Sequence, residues 1–421
     1  MDVRLYWVWL QRALGAGSGV YGRLLREYER PEKIFAATHA QLERSGVPAK
    51  TLERLCDKSL DKVKEICRQA TVHGDWMLTP DDSRYPELLR GLYDPPIVLY
   101  VRGDFPDFGV TPAFAFVGHR DCSPYGKRVT TRLSAALSAA GMAIVSGGAV
   151  GIDRAAHEGA MQAGGPTVAV LPCGLDVDYL RQNEDMRRRI VRTGGALITE
   201  YPPGVPVLRG CFQVRNRLIS GLSLGVCVVE APAKSGSLIT ARTAREQGRD
   251  VFAVPADIHS SLSVGSHRLL RDGAHVASCA ADILTEYTDR FGDLLDSEAA
   301  LAMEAKRMDE QPAETPPASK IPPPVIGMSV RRQQAANMRE EIPSTAPAPL
   351  RELPLTDNAR KLLAVLTEQP QTADEISQNA ELPAGLLLSA LTELEIAGRV
   401  YRYPGKRYAR VSEGMQSLET E

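Results

Sequence analysis

Residues 113–126 read AFAFVGHRDCSPYG, and residues 143–157 read AIVSGGAVGIDRAAH. Each is a short apolar run, a glycine-bearing turn and then a helical pattern. Apolar runs without alternation suit strands covered on both faces, as in a parallel sheet. Four further runs extend the series: TVAVLPCG (167–174), GALITE (195–200), GVCVVEA (225–231) and DVFAVPA (250–256). The pattern predicts an α/β domain over 76–290, an extended Rossmann-like, doubly wound and mainly parallel sheet. IVLYVRGD at 97–104 is expected to add an edge strand.

Three other segments flank this domain. Residues 1–75 carry apolar positions at helical spacing, in VYGRLLREY (20–28) and KTLERLCDKSLDKVKEICRQA (50–70). They predict an N-terminal helical, SAM-like unit. Its turn RSGVPAK (44–50) loosely resembles the phosphate-holding turn of a helix-hairpin-helix, with Pro48 where a second glycine would help. DNA contact and a packing or partner role both stay open there. Residues 291–352 include the Pro-rich QPAETPPASKIPPPVIG and are expected to form a linker. Residues 353–413 combine NARKLLAVL, TADEISQNA, AGLLLSALTELEIAG and RVYRYPGKRYARV. Three helices and two strands around a Pro-Gly wing predict a winged helix.

The charge total conceals its distribution. The 421 residues hold 50 Lys+Arg against 52 Asp+Glu, a net charge of -2 that argues against a polyanionic partner. Residues 113–290 alone hold 18 Arg and 2 Lys against 10 Asp and 6 Glu, a net of +4, so the remainder carries -6. Arginine rather than lysine suits bidentate phosphate contacts and stacking. No apolar run approaches the roughly 20 residues that span a bilayer, so no membrane partner is expected. The first segment lacks a basic n-region and a small-residue cleavage site, which points to the cytoplasm. Seven widely spaced cysteines without C-x-x-C predict reduced thiols.

Three loops carry candidate chemistry. In VGHRDCSPYG, Gly118 ends a strand, Arg120 follows, and Ser123 precedes Pro124 as a helix cap. In SGGAVGID, Ser146, Gly147, Gly148 and Gly151 lead into a helix whose amides suit an anion. A tight packing turn is the other reading of these glycines. Asp153 is a second cap or a backbone-holding carboxylate, and His157 a buried or capping residue. In RGCFQVRNR, Phe212 lies among Arg209, Arg215 and Arg217, either stacking on a base beside phosphate-binding arginines or packing in the core. Lys234, Ser235 and Ser237 open a further helix with anion-site geometry. No Walker A, G-x-S-x-G or HExxH signature is present, so no cofactor, metal or catalytic residue is expected.

Taken together, these segments resemble the DNA-processing protein A family (DprA, also called Smf). The resemblance rests on GHR (118–120), SPYG (123–126), SGGAVGIDRAAH (146–157), TVAVLPCG, RNR (215–217), SGSLITAR (235–242) and GRDVFAVP (248–255). It implies a non-enzymatic homodimer that binds single-stranded DNA and loads the RecA recombinase onto it in natural transformation. It also implies a DNA pocket of Gly118, Arg120, Ser123, Ser146, Gly147, Gly148, Gly151, Arg209, Phe212, Arg215, Asn216, Arg217, Lys234, Ser235 and Ser237. Four positions depart from the family pattern: His119, Gln213, Ala256 and His267. A phosphoribohydrolase-like enzyme is the alternative, against which stands the missing P-G-G-x-G-T-x-x-E signature. A third reading makes the winged helix the DNA module, although its recognition segment AGLLLSALTELEIAG carries two Glu and no basic residue.

Overall fold

The structure, a computed structural model, describes residues 2–309, 355–367, 369, 371–380, 384–397, 399–403 and 407–410. Residues 1–320 form one compact unit and residues 321–421 another.

The first unit opens with six short helices: α1 (Arg4–Leu14), α2 (Tyr21–Tyr28), α3 (Pro31–Ala36), α4 (His39–Arg44), α5 (Ala49–Cys56) and α6 (Asp61–Val72). Nine strands follow: β1 (Trp76–Leu78), β2 (Leu99–Gly103), β3 (Ala113–Val117), β4 (Ala143–Ser146), β5 (Thr167–Val170), β6 (Ala196–Thr199), β7 (Gly225–Val228), β8 (Asp250–Ala253) and β9 (His275–Val276). Between them lie α7 (Glu87–Arg90), α8 (Pro124–Ala139), α9 (Ile152–Gln162), α10 (Glu184–Arg192), α11 (Cys211–Gly221), α12 (Gly236–Glu246) and α13 (Val264–Arg271). Helices α14 (Ala280–Leu284), α15 (Thr288–Phe291) and α16 (Ser297–Asp309) end the unit's described part.

The sheet order is β1-β2-β6-β5-β4-β3-β7-β8-β9, parallel from β6 to β9. The mainly parallel α/β domain is therefore present. IVLYVRGD does not form its edge. Strand β2 pairs antiparallel with both β6 and β1, so WML at 76–78 takes the outer position. Tyr100 and Val101 are both buried, because β2 is covered on each face.

Successive residues face opposite layers. Phe114, Phe116 and Ile144 meet Leu133, Leu137 and Ala156 of α8 and α9. Ala115, Val117 and Val145 meet Leu218, Ile219 and Ala241 of α11 and α12. The chain first builds β3 to β6 outward, then crosses to β7. The order reverses between β3 and β7, and loops at their carboxyl ends diverge to leave a crevice.

Two expected boundaries move. The N-terminal helices do not form a separate core: Trp7, Leu10, Leu24 and Leu55 share one cluster with Tyr100, Ala169, Met186 and Leu197 of the sheet layer. Gln11 ties the two together, donating to the carbonyls of Val98 (2.9 Å) and Glu200 (2.6 Å) and accepting from Tyr100 (3.0 Å). The expected linker starts too early at residue 291. SEAALAMEAKRMD is rich in helix formers and folds as α16, with Ala300 and Glu304 buried and Glu304 accepting from the Ala280 amide at 3.1 Å. The Pro-rich remainder lies outside the described residues.

In the second unit, α17 (Asp357–Val365), α18 (Ala373–Ala380) and α19 (Ala384–Ile396) pack around Leu362, Ile376, Leu391 and Leu394. Strands β10 (Gln371–Thr372), β11 (Val400–Tyr403) and β12 (Arg407–Arg410) form an antiparallel sheet in the order β10-β12-β11. This is the expected winged helix; the Pro404-Gly405 wing tip lies outside the described residues. Glu393 of α19 accepts from the Thr356 amide (2.7 Å) and hydroxyl (2.6 Å), so it holds the start of α17.

Replacing Gln11 by Leu strips three buried groups of a partner, which costs about 2–4 kcal/mol of unfolding free energy. Urea unfolding checks this; a loss of a few tenths would contradict the shared core.

Candidate nucleic-acid interface

Three helix N-termini converge on the crevice between β3 and β7, and each brings partial positive charge. Two are filled from within. At α8, Ser123 caps Gly126 at 3.0 Å, while Glu230 accepts from the Ser123 amide (2.8 Å) and hydroxyl (2.5 Å). Glu230 is buried, and a Cβ on Gly126 would lie 2.5 Å from its carboxylate. At α9, Asp153 is buried and accepts from the Ala149 amide at 3.3 Å. Burial raises its pKa above the ordinary carboxylate value, against the nearby charge of Arg215.

The third end, that of α12, stays open. Ser235 caps Ser237 at 3.3 Å, and their hydroxyls lie 2.7 Å apart. A Cβ on Gly236 would meet nothing within 4 Å. Among the described residues no carboxylate is hydrogen-bonded to this end, although Asp121 lines the same cleft, and Lys234 beside it is exposed.

A cleft of about 430 Å³ opens here. Gly118, Arg120, Phe212, Arg215, Asn216, Lys234, Ser235 and Ser237 all line it. The Arg120 guanidinium sits over the Phe212 ring, 5.4 Å from its centroid. Tyr179 flanks the same ring, with centroids 6.3 Å apart. Phe212 is half-buried, so it is seated against the core and faces the cleft at once.

Arg215 is buried, and burial lowers its pKa from the usual arginine value. Its Nη1 donates to the Val170 carbonyl at 2.8 Å. A Cβ on Gly147 would collide with this guanidinium and with Asp153. Arg215 therefore lines the cleft as a fixed positive wall.

The other expected residues lie elsewhere. Ser146 is fully buried and donates to the Phe116 carbonyl at 2.7 Å. Gly148 and Gly151 adopt positive φ (+65° and +76°), and a Cβ on Gly151 would strike the carbonyls of His119 and Arg120. The glycine-rich loop is thus a close-packed support for the GHR loop. Arg209 is exposed in the turn before α11 and does not line the cleft.

Arg217 faces the opposite side. Residues two apart on a helix do not share a face, so Arg215 and Arg217 cannot both reach the cleft. Arg217 is buried between Glu200 (2.5 Å) and Asp94 (3.0 Å).

Asp121, Ile219 and Thr240 also line the cleft and were not expected there. Ile219 follows Arg215 by four residues and Thr240 follows Ser237 by three, so helical spacing carried both signals. Two of the departures meet: His267 Nε2 lies 3.1 Å from the Ala256 carbonyl. His119 lines the cleft, and Gln213 is exposed. His157 is buried, with Nδ1 2.7 Å from the Thr167 hydroxyl, as the buried-histidine reading anticipates. Among the described residues no cluster suits a metal ion, and no helix is long and apolar enough to cross a membrane.

Comparison with known proteins agrees with this architecture. The family profile described as DNA recombination-mediator protein A matches residues 76–288, and the DprA winged helix domain matches 345–406. Protein Smf of Synechocystis is 33% identical over 417 residues, covering 96% of this chain and 98% of that protein. The chain belongs to the DprA family. DNA processing protein DprA of Streptococcus pneumoniae is 42% identical over 206 residues, 49% of this chain and 72% of the relative. The X-ray structure of DprA from that organism aligns with a TM-score of 0.59 at 34% identity, over 68% of this chain and 99% of its own.

Two measurements test the buried charges. Arg217→Ala leaves Glu200 and Asp94 without a countercharge, a loss of about 3–5 kcal/mol in urea unfolding; a loss below about 1 kcal/mol would contradict the assignment. Burial lowers His157 from 6.5 to about 3. The unfolded chain therefore binds a proton that the folded protein refuses. Stability from this group is complete above the unfolded value and falls as pH drops toward the folded one, by about 2 kcal/mol at pH 5. Between pH 7 and 5 the wild type should lose that much more than His157→Leu; equal losses would contradict it.

Proposed function

We propose that this protein binds single-stranded DNA in the β3–β7 cleft and passes the strand to the RecA recombinase, protecting incoming DNA during transformation. The observation that carries the reading is the juxtaposition in one cleft of Arg120, Phe212, Lys234 and the open N-terminus of α12. A phosphate would sit at the start of α12, held by Lys234, the cap hydroxyls of Ser235 and Ser237, and the helix end. A neighbouring base would stack on the Arg120–Phe212 pair, since every base presents a π face. A paired base keeps its faces in the duplex stack, so the ring favours a single strand. Binding of this kind tolerates sequence and weakens with salt.

Family membership supports the recombination-mediator part of the reading. As a homodimer the protein would hold two clefts, and a strand long enough to enter both gains affinity through effective concentration. The reading assigns no reaction. A phosphoribohydrolase needs a carboxylate to activate water, whereas Glu230 beyond β7 and Asp153 in the first turn of α9 are engaged by backbone amides. The winged-helix alternative gains no basic residue on α19, and Glu393 there is spent on α17.

Titration with a single-stranded oligonucleotide tests the site. Arg120→Ala and Phe212→Ala should each weaken binding by about 1–3 kcal/mol while leaving the protein folded. Wild-type protein should also speed RecA filament formation on strands already coated by a single-strand-binding protein. Unchanged affinity in both variants would refute the site, and unassisted filament growth the mediator role.

A further inference from the structure

A larger cavity lies apart from the cleft, bounded by the end of α6, by β2 and β6, and by α10. Its volume is about 920 Å³, near the upper end of the roughly 300–1,000 Å³ typical of small-molecule sites. Leu171, Leu175, Val191 and Leu197 supply apolar lining. Five arginines and three carboxylates also line it, and most of these charges are matched. Arg181 pairs with Asp178, and Arg188 with Glu184. Arg102 holds Asp75 through two bonds, of 2.6 and 3.0 Å. Asp176 accepts from the Gly204 amide at 2.9 Å.

Arg187 and Arg192 remain. Among the described residues neither makes a hydrogen bond or ion pair. Both belong to α10 and both line the cavity. Arg192 is exposed at the rim. Arg187 is only 8% exposed, and its Nη1 is buried without a partner. Burial lowers its pKa from the ordinary arginine value. A guanidinium removed from water without a countercharge is costly, and an anion entering the cavity would offset that cost.

We infer that this cavity binds a small organic phosphate of about mononucleotide size, anchored by Arg187 with Arg192 at the rim. Two unpaired arginines against the one carboxylate without an arginine partner, Asp176, leave the lining net positive, which calls for an anion, and the planar fork of arginine fits a phosphate. The apolar lining calls for an organic body attached to it. The inference stands independently of the DNA reading, because Arg187 and Arg192 do not line the β3–β7 cleft.

Isothermal titration with ADP, pyrophosphate and adenosine tests it. ADP should bind saturably and more tightly than either fragment. Arg187→Met keeps length while removing the unmatched charge. It should weaken ADP at least about tenfold, leave oligonucleotide affinity unchanged, and leave the melting temperature of the free protein equal or higher. A purely structural Arg187 would instead lower that temperature. Arg192→Ala, at an exposed position, should weaken ADP about three- to tenfold, and it serves if Arg187→Met does not fold. Arg120→Ala should not change ADP affinity. The inference is overturned if ADP fails to saturate at millimolar concentration, or if pyrophosphate or adenosine binds as tightly. It is equally overturned if both α10 variants bind ADP normally, or if Arg120→Ala abolishes binding, which would place ADP in the DNA cleft.

Discussion

Two buried carboxylates decide which helix ends of the crevice are left open to solvent. A parallel sheet with a switch point directs several helix N-termini at one crevice. Glu230 holds Ser123, the N-cap of α8, and Asp153, in the first turn of α9, holds the Ala149 amide of the loop before it. Both groups are buried, so neither is readily displaced by a solvated anion. Unlike those two, the start of α12 keeps its positive end available, with Lys234 beside it and Arg120 in the same cleft. The same acids would look catalytic in a list of carboxylates near the glycine-bearing loops. Their hydrogen bonds show them completing the protein's own backbone.

The second constraint acts through α11. Its inward side places Phe212, Arg215 and Asn216 at the cleft, and its opposite side carries Arg217 into the pair with Glu200 and Asp94. The Glu200 carbonyl also accepts from Gln11 of α1. The N-terminal helices are thereby fastened to the strand end that anchors α11. Removing one member of a buried ion pair costs more than the pair contributes, because the survivor is stranded. Arg217, one of the three arginines beside Phe212 read as candidate DNA ligands, is thus a structural tie.

Much of this was legible in sequence. Unbroken apolar runs followed by glycine turns gave the parallel sheet, and charge counted over 113–290 located the basic domain. Arg120, Phe212, Arg215, Asn216, Lys234, Ser235 and Ser237 came to one cleft as expected. What stayed hidden depends on packing across distant segments. The 107-residue separation of Ser123 and Glu230 leaves no local trace of their bond. The SGG loop reads first as an anion cradle, with a packing turn as the other reading, until the carbonyls of His119 and Arg120 are seen against Gly151. Strand β2 was misplaced because the three-residue partner at 76–78 is too short to show periodicity. Helix α16 was lost to the linker because the proline signal that follows it dominated the window.

In the proposed complex a phosphate is held at the open start of α12 by Lys234 and the cap hydroxyls, while Arg120 and Phe212 carry a base. The salt dependence of single-strand affinity tests this most directly. Each phosphate contact contributes about 0.7 to the slope of log K against log salt. Lys234→Ala should flatten the wild-type slope by about that amount, and Phe212→Ala should weaken binding with the slope unchanged. An unchanged slope in Lys234→Ala would contradict the proposal.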